Sequence, residues 1–308
     1  MIPRKGRAQM QAIRQTVKFI WGHPLSRERR LKALAEYARW QVGSRLVPGA
    51  VAAPFVDDTR LLMRPGMTGA TGNLYTGLHE FEDMAFVLHA LRPGDLMLDV
   101  GANVGSYTVL GAGAVGARSV AFEPLPSTFK GLTDNVFING LTERVTLHNC
   151  GVGSAEGQLR FTADSDMANH VVPEGEAYSG AVVEVPIRRL DELVDASKDQ
   201  PFLIKVDVEG FEAEVIAGGA AVFSAETTQA VLLELIGHGS RYGHDDAAIH
   251  DQMLAWGYQP YAYDPRERRL MALTDRAPKG NTLYLRDVAL IANRVASAPQ
   301  FNVKGVRI

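Results

Sequence analysis

Asp99, Gly101, Asn103, Gly105 and Glu123 are the residues whose types and spacing most directly imply chemistry. They sit between Asp95 and Pro124, a stretch that reads as strand, glycine turn, helix and strand. Leu96, Met97, Leu98 and Val100 make the short apolar run of a strand buried on both faces of a parallel sheet. Gly101, Asn103 and Gly105 then turn the chain into a helix carried by Tyr107, Val109 and Leu110. Glycine tolerates backbone angles and close approaches that a side chain forbids. A helix start also offers unpaired N–H groups to a ligand. A second apolar run, Ser119 to Phe122, ends at Glu123-Pro124, eighteen residues beyond Gly105. An acid about that far on, at the tip of the second strand, is placed to accept both hydroxyls of a ribose.

The turn departs from the dinucleotide pattern G-x-G-x-x-G: it reads Gly101-Ala102-Asn103-Val104-Gly105, with Asp99 just before it. A carboxylate at the end of the first strand faces a pyrophosphate badly, because two anions would meet. It suits a ligand bearing an ammonium group, such as the amino-acid end of S-adenosylmethionine. A nicotinamide dinucleotide is therefore the less favoured occupant. A later strand closes at Cys150-Gly151-Val152-Gly153, and a loop there would place Gly151 and Val152 against an adenine. The glycine-rich stretch from Met67 to Gly77 reads either as a plain loop or as a lid, with Tyr75 and Glu80 reaching toward the ligand.

The elements that must position these groups alternate along the chain. After Glu123 come a helix with Phe129, Leu132 and Val136, a strand at Val145 to Leu147, and alternating strands at Gln158 to Thr162 and Val182 to Ile187. The latter pair reads as an inserted hairpin whose loop carries Asp166, Asn169 and His170. Leu190 to Val194 starts a helix, and Phe202 to Val206 and Val231 to Leu235 are buried strands. Tyr258 to Tyr263, Leu270 to Leu273 and Asn281 to Leu285 complete the set. This alternation predicts an α/β fold with a doubly wound, mostly parallel sheet. Residues 95–288 form the ligand-binding domain, 51–94 a lead-in hairpin, glycine loop and helix, and 289–308 an uninformative tail.

Residues 1–50 read as a helical extension. Met10, Ile13, Val17 and Ile20 make one stripe, and His23-Pro24 breaks it. Ser26 is placed to cap a second helix that would turn Leu31, Leu34, Ala38, Val42 and Leu46 inward. Pro48 to Pro54 reads as a linker and residues 55–65 as a hairpin about Asp57-Asp58. Residues 1–47 hold eleven basic side chains against two acidic ones, a net +9 in a chain of −3. Such a segment fits docking on the acidic body, on a second copy in a homo-oligomer, on an anionic membrane surface, or on an anionic glycan or glycolipid. No stacking aromatic platform accompanies the charge, so nucleic acid is not expected. At 46% hydrophobic and 22% charged, with one cysteine and no secretory leader pattern, the chain reads as an ordinary cytoplasmic globular protein.

Four segments carry a resemblance: Leu98 to Gly105, Ala121-Phe122-Glu123-Pro124, Arg189 to Leu193, and Lys205 to Glu212. With them the chain resembles the FkbM-type S-adenosylmethionine-dependent methyltransferases over about Gly72 to Leu285. The resemblance implies a Rossmann-like class I methyltransferase fold. It also implies methyl transfer from S-adenosylmethionine, leaving S-adenosylhomocysteine, to a hydroxyl of a sugar, glycan or complex natural product. A hydroxyl so methylated needs a base for its proton. Strand-tip candidates are Lys205, Asp207, Glu209, Glu234 and His238, of which the imidazole titrates nearest neutrality. Each has a plainer reading: Glu209 and Glu212 favour the dipole of the following helix, Glu234 needs a partner such as Lys205, and His238 in a Gly-His-Gly loop is solvated. Asp207, Glu209 and His238 lack tight metal-ligand spacing, so a divalent cation is not expected. The alternatives are a non-catalytic, ligand-binding scaffold working through its basic helices, and a nicotinamide-dependent dehydrogenase.

Overall fold

Short apolar runs alternating with amphipathic helices build an eight-stranded sheet covered on both faces. The computed structural model describes residues 4–46, 49–163, 169–173 and 175–308. The chain begins with α1 (Arg4–Gly22), a 3-10 turn (Pro24–Ser26) and α2 (Arg30–Leu46). The hairpin β1 (Val51–Pro54) and β2 (Arg60–Met63) leads to α3 (Thr68–Thr76) and α4 (Phe81–Ala90). The first half of the sheet is β3 (Leu96–Val100), α5 (Ser106–Val109) with a π-turn (Leu110–Val115), β4 (Arg118–Phe122), α6 (Pro126–Ile138) and β5 (Val145–His148). A small sheet follows, made of β6 (Gly151–Val152), β7 (Gly157–Thr162) and β8 (Val182–Arg188). The second half is α7 (Leu190–Leu193), α8 (Ala196–Asp199), β9 (Pro201–Val206), α9 (Glu212–Gly218), α10 (Ala220–Ser224), β10 (Ala230–Glu234) and α11 (Asp246–Ala255). The chain closes with β11 (Gln259–Asp264), β12 (Arg269–Ala272), β13 (Asn281–Leu285), α12 (Val288–Ser297) and the hairpin β14 (Asn302–Val303) and β15 (Val306–Arg307).

The strand order is β12-β11-β13-β10-β9-β3-β4-β5. β3, β4, β5, β9 and β10 run parallel, and β13 inserts antiparallel between β10 and β11. Strand alternation splits the core in two. Met97, Leu203, Leu232 and Leu283 face α4, α6 and α12, whereas Leu98, Ile204, Val231 and Tyr284 face α9, α10 and α11. The order reverses direction about β3, so the carboxyl ends of β3, β4 and β9 open into one crevice, where ligands collect in such sheets. The doubly wound, mostly parallel sheet, the inserted hairpin β7–β8 and the helical N-terminal segment are all present as the sequence leads one to expect.

Five local expectations are corrected. Met67 to Gly77 is no loop: α3 occupies it and lines the crevice with Gly69, Ala70 and Asn73, held because Thr76 and Asn73 donate to backbone carbonyls of Gly72 and Gly69. The small glycines let it lie close, with His79 packed over Gly72. Val51–Pro54, read as linker, is the first strand of the lead-in hairpin. Ser26 caps nothing; it is buried in the 3-10 turn, which His23 caps by accepting from the Leu25 N–H at 3.3 Å. The stripe Leu31, Ala38, Val42 and Leu46 faces solvent, and α2 instead buries Ala33 with Tyr37 and Trp40. The tail is no appendage: Ile291, Val295, Phe301 and Val303 are buried, and Val303 bridges Val56.

Candidate active site

A cleft opens over the ends of β3, β4 and β9. Gly101 forms its floor turn at φ +78°, with its backbone pressed on the chain leaving the neighbouring strand β9: a Cβ there would lie 1.9 Å from the carbonyl oxygen of Asp207. Asn103 (φ +50°) and Gly105 (φ +86°) complete the turn in left-handed conformations. The helix expected from Tyr107, Val109 and Leu110 follows as α5, a single α-turn that widens without a break into the π-turn, and all three side chains are buried.

Glu123 ties the turn to the second strand. Its Oε2 accepts from the Asn103 N–H and its Oε1 from the Leu125 N–H, both at 3.0 Å. Burial pushes its carboxyl up to about 7, against the opposing pull of those two N–H groups. Two acceptor sites on a carboxylate remain for a ligand, since each oxygen carries two lone pairs. Pro124, Gly151 and Val152 line the same wall as Glu123.

Asp99 lies beneath the floor rather than on it. It is fully buried, its Oδ2 accepts from the Thr108 hydroxyl at 2.6 Å, and its Oδ1 has no hydrogen-bond partner. Desolvation raises its pKa, while Lys205, its register neighbour on β9, pulls the other way. Lys205 is itself buried, 3.2 Å from Asp207 and 5.0 Å over the Tyr107 ring. Burial acts to lower its pKa, but Asp207, Asp99 and Glu80 together hold it above the ordinary lysine value. Glu80 joins this network by accepting from the Tyr107 hydroxyl at 2.8 Å.

The acidic wall continues past β9. Glu209 sits in a left-handed conformation (φ +55°) and pairs with His238 at 3.4 Å across the cleft rim. Gly210 permits that approach, because a Cβ on it would meet the His238 carbonyl at 2.6 Å. Burial, and then the Asp207 charge, pushes Glu209 up to about 7. Glu234, half-buried at the end of β10, is pushed up to about 8 by burial and by Asp207, Glu209 and Glu212. Lys205 does not partner it; that ammonium is taken by Asp207. Glu212 caps the turn, accepting from the Val208 and Gly210 N–H groups at 3.2 Å each.

Glu80, Gly101, Asn103, Glu123, Pro124, Gly151, Val152, Lys205, Asp207 and Glu209 are thus brought together on one cleft. Gly105 supports the turn from behind, Glu234 and His238 stand beside the rim, and Tyr75 is turned away, packed edge-on against Tyr37 of α2. Sequence reasoning missed His79, Tyr107, Phe161 and Phe211, which also line the cleft. Tyr107, one turn beyond the glycines, was legible as a helix residue but not as a partner of Glu80. Among the described residues no three His, Cys, Asp or Glu side chains are placed to hold a metal ion. Nor is any described helix long and apolar enough to cross a membrane. Asp166 lies outside the described residues.

Residues 99–260 match the family model described as a methyltransferase FkbM domain. The methyltransferase sdnD of Sordaria araneosa is 29% identical, over 45% of this chain and 65% of its own. The hexuronic acid methyltransferase AglP of Haloferax volcanii is 31% identical, over 45% of this chain and 56% of its own. The 31-O-demethyl-FK506 methyltransferase FkbM of Streptomyces tacrolimicus is 27% identical, with 45% and 65% covered. The chain therefore spans under two thirds of the length of these relatives.

Proposed function

The chain belongs to the FkbM methyltransferase family, and from that premise we propose that it transfers a methyl group from S-adenosylmethionine to a hydroxyl oxygen of a sugar, glycan or complex natural product. The observation that carries the reading is the charge of the cleft. Its described walls bring Glu80, Glu123, Asp207 and Glu209 together with a single ammonium, Lys205, already bonded to Asp207. A sulfonium with an α-ammonium group is attracted there, whereas a pyrophosphate is repelled. Relatives named for a hexuronic acid and for an O-demethylated natural product support the acceptor class.

Glu123 holds the ribose hydroxyls through its two remaining acceptor sites, and Gly151 and Val152 flank the adenine. The Gly101 turn, with Glu80 and Asp207 on the same cleft and the buried Asp99 beneath, receives the amino-acid end. The acceptor enters over Glu209 and His238. As its oxygen forms the new C–O bond, the C–S bond breaks, its electron pair leaves on sulfur, and the hydroxyl proton passes to a base. His238 is that base, oriented through Nδ1 by Glu209, which leaves Nε2 for the acceptor. Asp207, neutralised by Lys205, is a positioning group.

Titration calorimetry with S-adenosylhomocysteine tests the first half of this reading, and absence of binding overturns it. The second half is tested by mass spectrometry of sugars and lipids with and without the protein, which should show a gain of one methylene mass, about 14 Da, on a hydroxyl.

A further inference from the structure

Of the stripe that the sequence assigns to the core, Leu34 is half-buried beside Ala33, and the rest is a surface of α2 that no described residue covers. Leu31 is 79% exposed, Val42 61% and Leu46 75%, with Ala35 and Ala38 exposed between them. Their spacing of three and four residues puts all five on one side of the helix. The opposite side, Ala33 with Tyr37 and Trp40, packs on α1 and α3. Trp21 at the end of α1 is 46% exposed, with the Arg30 guanidinium 5.0 Å over its ring. Lys32, Arg39 and Arg45 flank the stripe and are exposed, as are Arg14 and Lys18 of α1. The acid within α2, Glu36, is turned to the body, where it pairs with Arg29 at 2.6 Å and Lys304 at 2.9 Å.

We propose that this face of α2, with Trp21 beside it, docks the protein on a bilayer surface rich in anionic lipid. An apolar stripe bordered by lysine and arginine buries its side chains at the headgroup boundary while the cations meet lipid phosphates and carboxylates. A second copy fits worse. Pairing two such helices face to face sets Lys32, Arg39 and Arg45 against their own images, and like charges so placed repel. The body beneath is already satisfied by the other side of the helix. Docking here carries an enzyme that bears no membrane-crossing helix among its described residues to lipid-linked acceptors, without altering the cleft.

The test uses the full chain and sedimented vesicles of phosphatidylcholine alone or with about one third phosphatidylserine. Binding to the anionic vesicles is expected, weakening by at least about fivefold for each flanking cation reversed in the variants Lys32→Glu, Arg39→Glu and Arg45→Glu. The triple variant Leu31→Ser, Val42→Ser, Leu46→Ser should lose vesicle binding while its affinity for S-adenosylhomocysteine and its melting temperature stay unchanged, because those side chains touch neither cleft nor core. Equal binding to both kinds of vesicle, or to neither, overturns the proposal. So does a dimer seen by light scattering that the serine variant dissociates, or retention on an anionic glycan column without vesicle binding.

Discussion

At the scale of single residues, the cleft is organised by carboxylates held near neutrality. Glu123 is the sharpest case, since burial has lifted it to about 7 while two backbone N–H groups pull it down. A ribose hydroxyl donates best to an ionised acid. Affinity for S-adenosylhomocysteine should therefore be flat above pH 7 and fall as the pH drops through that value, by up to roughly tenfold per unit. Replacing Glu123 by Ala should cost roughly a hundredfold by calorimetry at pH 8, the loss of two charge-assisted hydrogen bonds. An affinity unchanged by the substitution removes the ribose assignment. The rim pair behaves differently because it touches the acceptor and not the nucleoside. His238→Ala and Glu209→Gln should leave that affinity within about twofold and lower kcat by roughly 10²-fold or more. Full turnover in both variants excludes them as the proton-accepting pair.

At the scale of elements, the turn after β3 works because two backbones almost touch. Gly101→Ala forces a Cβ to within 1.9 Å of the Asp207 carbonyl at φ +78°, and β3 and β9 must separate to admit it. Gly116 has a similar φ of +85° but nothing nearer than Pro93 at 3.9 Å. Alanine at Gly116 should cost only the conformational penalty of about 1–2 kcal/mol. Gly101→Ala should lower the melting temperature far more and abolish ligand binding. Equal shifts in the two variants mean that the close approach is not what the glycine serves. The same turn shows what a sequence makes legible. Gly101, Asn103 and Glu123 declare themselves because local backbone geometry and strand length alone fix their meeting. α3 stays hidden because five of its nine residues are glycine or threonine, poor helix formers that only its packing against α2 and His79 sustains. Periodicity shows that Leu31, Val42 and Leu46 share a face. It cannot say that Tyr37 and Trp40, on the other side, are the ones the body covers. Asp99 could be placed at a strand end, but its burial depends on Thr108 folding back over it from α5 and on Lys205, brought beside it by a strand remote in sequence.

At the scale of the whole molecule, the cleft leaves the ligand-free protein with a pH-dependent stability of predictable sign. Glu209 and Glu212 sit at about 7 and Glu234 at about 8, against 4.5 for an unperturbed glutamate, and burial is the leading cause for each. A carboxyl raised on folding keeps its proton in the native state while the unfolded chain has lost it. Its contribution is complete below 4.5, drains away as the pH climbs, and is gone once the folded value is passed. His23 and His89, lowered by burial from 6.5 to about 4, act in the opposite sense and weaken the fold as the pH falls below 6.5. The two windows overlap from 4.5 to 6.5, where three carboxyls outweigh two imidazoles, so wild-type stability should crest near the foot of that overlap and decline toward pH 8. Glu234→Gln isolates the carboxylate share: an amide of the same shape carries no charge to bury. Melting curves of the variant and the wild type should nearly coincide at pH 5 and diverge steadily above it. By pH 8 the variant should be the more stable by on the order of several degrees. Parallel curves across the whole range mean that Glu234 is ionised in the folded protein without cost, and that the cleft's negative charge is not held in check by burial.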